Sequence, residues 1–420
     1  MTKRRKRPNL FGWILLGLVL LFGYYFNQIY LPSQPNPFDA TPTVTRSPES
    51  FVTEAESLFK DGKLSQAIDA YQSAIDASPQ NPALYIAIAR IQVWAGKYED
   101  AQANAENAIL LSPDNSMAHA VRAWALDFRG RNSDAMEEIE KAISLDPKNA
   151  IAFAYKVEIL IDAGPDNIEK AIDASRSALA LDPNALETRR ARGYIFEATG
   201  QYEPAIQFYN SAIEVNPNIA ILHMELGNNL RFQGVYDQAI DELTKANTLN
   251  PADPQPEYFI SRTYATEGEY AKALQYAKAA MEDKPTDAGL HANYGVMFFR
   301  NFQYQDAVNE LGMAINGGKA ENGLPITGLP LTNDLRIAEY YYTYGLALAR
   351  LNQCGQALPL AQKLQSMFPS EDSVQQATTA INQICEENLN NPVTDTPVPA
   401  TAEETTAAET ETPAAPTATP

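Results

Sequence analysis

Three histidines, two cysteines and 52 acidic side chains are the residues of this 420-residue chain that could do chemistry. Histidines serve a metal or a nucleophile only when they converge within a few ångströms on one reacting atom. His119, His223 and His291 instead stand two or three periods apart in a repeat set out below, each at the same place in its unit, so each is read as a substitute for a packing aromatic. The acidic residues outnumber the 32 Lys and Arg, and in helical segments such carboxylates are mostly solvated faces. No G-x-S-x-G, H-E-x-x-H, G-x-x-x-x-G-K or G-x-G-x-x-G pattern occurs, and Gly317–Gly318–Lys319 alone is too short to cradle a phosphate. No catalytic, metal-ligating or cofactor-binding set follows, and the chain is expected not to be an enzyme. Five bases at Lys3–Arg7 are offset by five acids beyond residue 388, so residues 48–387 carry the whole formal charge of −20. Such a body repels phosphate backbones, which excludes nucleic acid as the natural ligand.

The elements that must position any site are set by a period. Prolines recur at Pro79, Pro113, Pro147, Pro183, Pro217, Pro251 and Pro285, spaced 34, 34, 36, 34, 34 and 34. Five residues before each lies Ala74, Ala108, Ala142, Ala178, Ala212, Ala246 or Ala280, and seven further back Ala67, Ala101, Ala135, Ala171, Ala205, Ala239 or Ala273. Alanine at a fixed place marks a helix crossing too close for a larger side chain. Proline stops a second helix. Gly62, Gly96, Gly130, Gly164, Gly200, Gly234 and Gly268 fall where a first helix needs a left-handed cap.

These residues resemble the tetratricopeptide repeat, a helix–turn–helix unit of 34 residues. In Leu226, Gly227, Leu230, Gly234, Tyr236, Ala239, Leu243, Ala246 and Pro251 one unit shows nearly the whole pattern. The resemblance covers 48–369 and implies an all-α fold, an α-solenoid coiled as a right-handed superhelix of about nine units. They are placed near 48–81, 82–115, 116–149, 150–185, 186–219, 220–253, 254–287, 288–316 and 338–371. The last two diverge: the eighth lacks turn glycine and closing proline, and Asn352 replaces the glycine of the ninth. Two extra residues of the fourth unit fall in the turn Gly164–Asn167, where insertion is tolerated. A terminal unit must be covered, so a capping helix is expected over 372–387.

Ahead of the array, residues 1–9 form a basic tail and 10–31 an uncharged, apolar stretch with Trp13 at one end and Tyr24, Tyr25 and Tyr30 at the other. About 20 such residues span a bilayer. The bases precede the stretch and no further base occurs until Arg46, so the positive-inside rule predicts a single-pass anchor in the cell membrane with residues 32–420 outside the cytoplasm. An uncleaved anchor is preferred over a signal peptide because the first alanine is Ala40. The Pro/Thr-rich segment 32–47 is a linker, and the Thr, Pro, Ala and Glu of 388–420 predict a disordered tail.

Two departures from the repeat stand out. Residues 317–334 interrupt the array with four glycines and two prolines, while Leu324, Ile326, Leu329 and Leu331 suggest a surface loop that docks on the groove or edge. Outside the cytoplasm, Cys354 in the last turn and Cys385 at the end of the cap are expected to form a disulfide stabilising by roughly 3–4 kcal/mol.

Function is then expected from a groove. The family's superhelix lines its concave face with first helices, and by register that face presents Trp94, Trp124, Phe128, Tyr194, Phe232, Tyr258, Phe299 and Tyr342, with Asn228, Arg231, Arg262 and Arg300 in the later units. Aromatics flanked by arginine have the makeup of binding hot spots, although each aromatic could equally be core. The expected partner is a protein or peptide, with an acidic or carboxylate end against the arginines, and the bilayer is met through the N-terminal helix. Two roles fit: a scaffold in cell-envelope assembly, or an accessory subunit of an envelope enzyme or of a secretion or glycan-processing complex. The lysine and asparagine arrangement of the family's chaperone-tail clamp is not evident in these units.

Overall fold

A computed structural model describes residues 10–26, 28 and 46–390. Apart from a small hairpin, the chain is a succession of helices: α1 (Leu10–Tyr25), then nine pairs, then a last single helix. The pairs are α2 (Pro48–Lys60) with α3 (Leu64–Ala77), α4 (Pro82–Trp94) with α5 (Tyr98–Leu111), and α6 (Ser116–Phe128) with α7 (Asn132–Leu145). Next come α8 (Ala150–Asp162) with α9 (Ile168–Leu181), α10 (Leu186–Ala198) with α11 (Tyr202–Val215), and α12 (Ala220–Phe232) with α13 (Tyr236–Leu249). The last are α14 (Gln255–Glu267) with α15 (Tyr270–Asp283), α16 (Ala288–Arg300) with α17 (Tyr304–Asn316), and α18 (Leu335–Arg350) with α19 (Cys354–Met367). From α2 on, each helix packs on the next, which makes an α-solenoid.

Local chemistry sets the boundaries. Asn81, Asn115 and Asn149 each accept a backbone N–H of the first helical turn at 3.1 Å, a cap that stabilises by ~1 kcal/mol. Second helices end two residues before the proline because its ring forces the intervening residue out of the helical region: Ser78 lies at φ −145° and Asp146 at φ −142°. The seven turn glycines all have positive φ. Where glycine is absent, Phe302 (φ 63°) and Asn352 (φ 59°) take the same left-handed turn. The alanines of both fixed positions, from Ala67 and Ala74 through Ala307 and Ala314, are at most 1% exposed, so helices cross there with no room for a further methyl group.

The expected span over 10–31 is represented by α1, of 16 residues. At 1.5 Å per residue that is ~24 Å, and no helix among the described residues is long and apolar enough to cross a membrane. Asn27 and the segment 29–45 lie outside the described residues, as do the basic tail 1–9 and residues 391–420.

The insertion forms a hairpin of β1 (Gly318–Lys319) and β2 (Pro325–Ile326), antiparallel with Gly318 opposite Ile326. It sits on the edge of the array. Leu329 N donates to Ala314 O at 2.9 Å, Tyr341 Oη donates to Leu329 O at 2.6 Å, and Ile326 and Ala320 are buried beside Ala288. Leu324 does not dock: it is 54% exposed at the hairpin tip. The last helix, α20 (Asp372–Asn390), buries Val374, Ala377, Ile381 and Cys385 against the ninth pair. Cys354 and Cys385 are disulfide-bonded, with Cα atoms 5.6 Å apart.

The array curves tightly enough to meet itself. The turn of the first pair touches the loop between α11 and α12: Asn218 Nδ2 donates to Lys60 O at 2.8 Å, and a Cβ on Gly62 would stand 2.6 Å from Asn218 Cβ. One apolar core therefore runs from Ala55 through Trp124 to Leu186 and Leu222. The fourth pair contributes to this closure. Its extra residues form a short 3-10 turn, Pro165–Asn167, and α8 packs directly on α10. A cleft of about 840 Å³ opens on the outer side between α7 and α9.

Candidate functional site

The first helices line the inner wall, and that wall divides in two. In the first five pairs it is filled by the chain's own side chains. Trp124 and Tyr155 stack at 4.3 Å with no exposure, and Trp94 packs edge-on against Trp124 at 4.8 Å. Trp94 and Trp124 are therefore core, not groove wall, because closure of the array packs α4 and α6 against α8 and α10. Tyr258 is core as well, 8% exposed beside Leu290 and Ala280.

Charged residues fill the same interior. Arg190 on α10, 3% exposed, holds Glu158 on α8 and Glu225 on α12 at 2.6 Å each. Trp124 Nε1 donates to Glu158 Oε2 at 2.8 Å. Arg90 on α4 pairs with buried Glu187 on α10, joining the second pair to the fifth. Asp127, 6% exposed, lies beside Asp162, which accepts from Tyr194 Oη at 2.6 Å. Burial, then the charges of Asp162 and Glu158, push Asp127 up to about 8. Burial also pushes Glu225 up to about 7 against the pull of Arg190. Asn229 links this interior to the next turn, donating to Glu197 at 2.8 Å.

From the sixth pair onward the wall opens. Phe232 is half exposed, stacked on Tyr202 at 5.0 Å, and Asn228, Phe299 and Tyr342 are half-buried, as are Phe128 of the third pair and Tyr194 of the fifth at the border of the filled interior. Arg231 lies over Phe232, its guanidinium carbon 4.3 Å from the ring, and donates to Asn228 Oδ1 at 2.9 Å. Arg262 pairs with Glu339 at 2.9 Å and Arg300 with the other oxygen of Glu339 at 3.5 Å. Two of the three arginines expected to line the groove thus share one internal carboxylate. Burial and the charge of Arg262 lower the pKa of Arg231. Its Nε and Nη1 of Arg262 are buried without an acceptor.

The histidines do not converge, yet each does more than replace an aromatic. Nδ1 of His119, His223 and His291 meets Glu138, Glu242 and Glu310 at 2.6, 2.6 and 2.7 Å. Nε2 of the same rings meets the carbonyls of Pro113, Pro217 and Pro285 at 2.9, 2.8 and 2.9 Å. Each ring bolts the end of one pair to the second helix of the next. Their signal is in the sequence, where a glutamate follows each histidine by 19 residues. Among the described residues no cluster of His, Cys, Asp and Glu is arranged to hold a metal ion.

Models of the tetratricopeptide repeat match residues 58–125, 118–149, 191–219 and 224–288. The chain is a tetratricopeptide-repeat protein. No curated protein matches this tetratricopeptide-repeat chain. Solved structures similar to it include the type IV pilus biogenesis factor PilW (20% identity, TM-score 0.43, 47% of this chain and 91% of that one). A tetratricopeptide repeat protein from Parabacteroides merdae ATCC 43184 is 17% identical, with TM-score 0.40, covering 60% of this chain and 98% of its own. The Cut9–Hcn1 hetero-tetramer of the APC/C gives TM-score 0.56 at 14% identity over 87% of this chain and 81% of that one, a likeness of fold. Tetratricopeptide-repeat proteins generally act as protein-interaction scaffolds.

Proposed function

We propose that this tetratricopeptide-repeat chain is a non-catalytic adaptor that binds a protein segment bearing a carboxylate along the open inner wall of pairs six to nine. The carrying observation is the imbalance there: Arg262 and Arg300 share the single carboxylate of Glu339, Arg231 has only the amide oxygen of Asn228, and one N–H group each of Arg231 and Arg262 is buried without an acceptor. A peptide carboxylate makes paired, charge-assisted hydrogen bonds with guanidinium groups, and Phe232 and Tyr342 offer aromatic surface beside them. The apolar segment 10–31, with its preceding bases, supports tethering to a membrane with the array outside the cytoplasm.

Fluorescent peptides with free and amidated C-termini, titrated against the full chain in mild detergent, test the reading. Free carboxylates should bind at least tenfold more tightly, and exposed Arg300→Glu should abolish that preference. Equal affinity for both peptides, unchanged by Arg300→Glu, refutes it. A photo-crosslinking residue at Phe232 in the native membrane should capture the partner, whereas the same residue at Leu110, 80% exposed on α5, should not.

A further inference from the structure

Where the filled interior meets the open wall lies a cavity of about 210 Å³. Glu158, Asp162, Glu197 and Glu225 supply its acidic side, with Arg190 between Glu158 and Glu225, and Phe128 and Phe259 its apolar side. Glu158 is 2% exposed, and its Oε1 accepts no hydrogen bond although Oε2 takes Trp124 and Arg190. Oδ1 of Asp127 is likewise buried without a donor. The carboxyl groups of Asp127, Glu158, Asp162, Glu187, Glu197 and Glu225 surround two guanidinium groups, those of Arg90 and Arg190. A buried carboxylate oxygen without a donor is costly, and here it belongs to a residue that lines an open cavity.

The geometry points to a binding site for one ammonium or guanidinium group, the basic side chain of a partner segment lying on the inner wall. Aromatic and thioether surface from Phe128, Phe259 and Met224 suits an alkyl stem and the face of a cation. Hard divalent cations want oxygen ligands converging on one point, and among the described residues no three acidic side chains are so placed. Asn228 ties the two halves together, donating to Glu197 at 3.3 Å and accepting from Arg231 at 2.9 Å. The inference rests on the adaptor reading and extends it: the bound segment has a basic residue toward pairs four and five and a carboxylate toward pairs seven to nine.

The probes are n-propylguanidinium and n-butylammonium, side-chain analogues of arginine and lysine, with n-butanol as the neutral control, read by tryptophan fluorescence of the full chain in detergent. Two of the three tryptophans report on this site from behind its lining: Trp124 donates to Glu158 and Trp94 packs on Trp124. Both cations should give a saturable response that butanol does not, weakened at least tenfold in Glu158→Gln and in Asp162→Asn, the latter at an exposed position. A peptide carrying one arginine should bind at least tenfold more tightly than free n-propylguanidinium if a partner segment is the source. Equal affinity assigns the site to free amines and overturns the peptide assignment. No saturable response to either cation, or one that both variants leave intact, overturns the site. Failure of the adaptor reading is distinct: there the free-carboxylate preference is missing while the cation response persists.

Discussion

Replacing Asp127 by asparagine should stabilise the array at alkaline pH, although it removes a buried residue's charge. Asp127 ends α6, is 6% exposed, and lies between Asp162 and Glu158 with one oxygen unbonded. Its pKa rises from 3.8 to about 8. A folded pKa above the unfolded one means that the folded state holds a proton the unfolded chain releases. That contribution is complete below about pH 4 and is lost as pH rises through about 8. At about 1.4 kcal/mol per pKa unit, the gap corresponds to ~6 kcal/mol at pH 8 relative to a neutral isostere. Movement of Asp162 toward solvent reduces the expected gain to ~2–3 kcal/mol. Urea titrations of both chains in mild detergent, followed by circular dichroism at pH 4.5 and 8, measure it. The variant should gain at pH 8, with the gap closing by pH 4.5. A variant equal to or weaker than the parent at pH 8 would show that Asp127 is ionised and satisfied in the fold, and the reasoning would fail. Glu225, raised to about 7, works in the same direction.

The remaining predictions follow from contacts already described. Arg190→Met should cost ~3–5 kcal/mol in urea titration at pH 8, because Glu158 and Glu225 lose their common partner; a loss under ~1 kcal/mol contradicts the pairing. Cys354→Ser with Cys385→Ser, opening a loop of sequence separation 31, should cost ~4 kcal/mol, and amide exchange should quicken first in α19 and α20. Phe302→Gly should add ~1 kcal/mol because a side chain at φ 63° is strained and this one is 75% exposed; an unchanged melting curve argues against that strain. Burial opposes protonation of His291, but hydrogen bonds to Glu310 and Pro285 O outweigh it and raise the pKa. Its stabilisation is therefore complete below about pH 6.5 and lost as pH rises through the folded value. His291→Gln should flatten that part of the stability profile, and an unaltered profile rules out the bolt.

Much of the fold is legible because each repeat repeats its own constraints. A glycine at the turn, two alanines at the crossing and a proline after the second helix are local signals, and the structure spends each as its type suggests: positive φ at Gly96, full burial at Ala101 and Ala108, helix termination before Pro113. The insertion was legible as an interruption with apolar content. Its edge position was not, since docking depends on the exposed ends of α16 and α17 that the hairpin meets. Histidine at the aromatic position reads as packing when each unit is considered alone. Only the 19-residue offset to a glutamate, recurring in three units, identifies it as a hydrogen-bonded bolt.

The inner wall was the least legible part, and the cause is curvature. Trp94, Trp124 and Phe232 all belong to first helices, yet the first two are core and the third is half exposed. The repeat register says which residues face inward. It does not say whether the inside is open. That depends on small rotations accumulated from unit to unit, which here bring Lys60 to Asn218. An open wall would leave Arg190 and its glutamates in water, where an ion pair contributes little. Closure takes them out of water, and the excess carboxyl groups then acquire raised pKa values and unbonded oxygens. On the wall of the later pairs, which stays open, Arg262 and Arg300 reach for Glu339 and Arg231 for the amide of Asn228. One face of one repeat family thus becomes a charged core over five pairs and a more open, arginine-bearing wall over the next four.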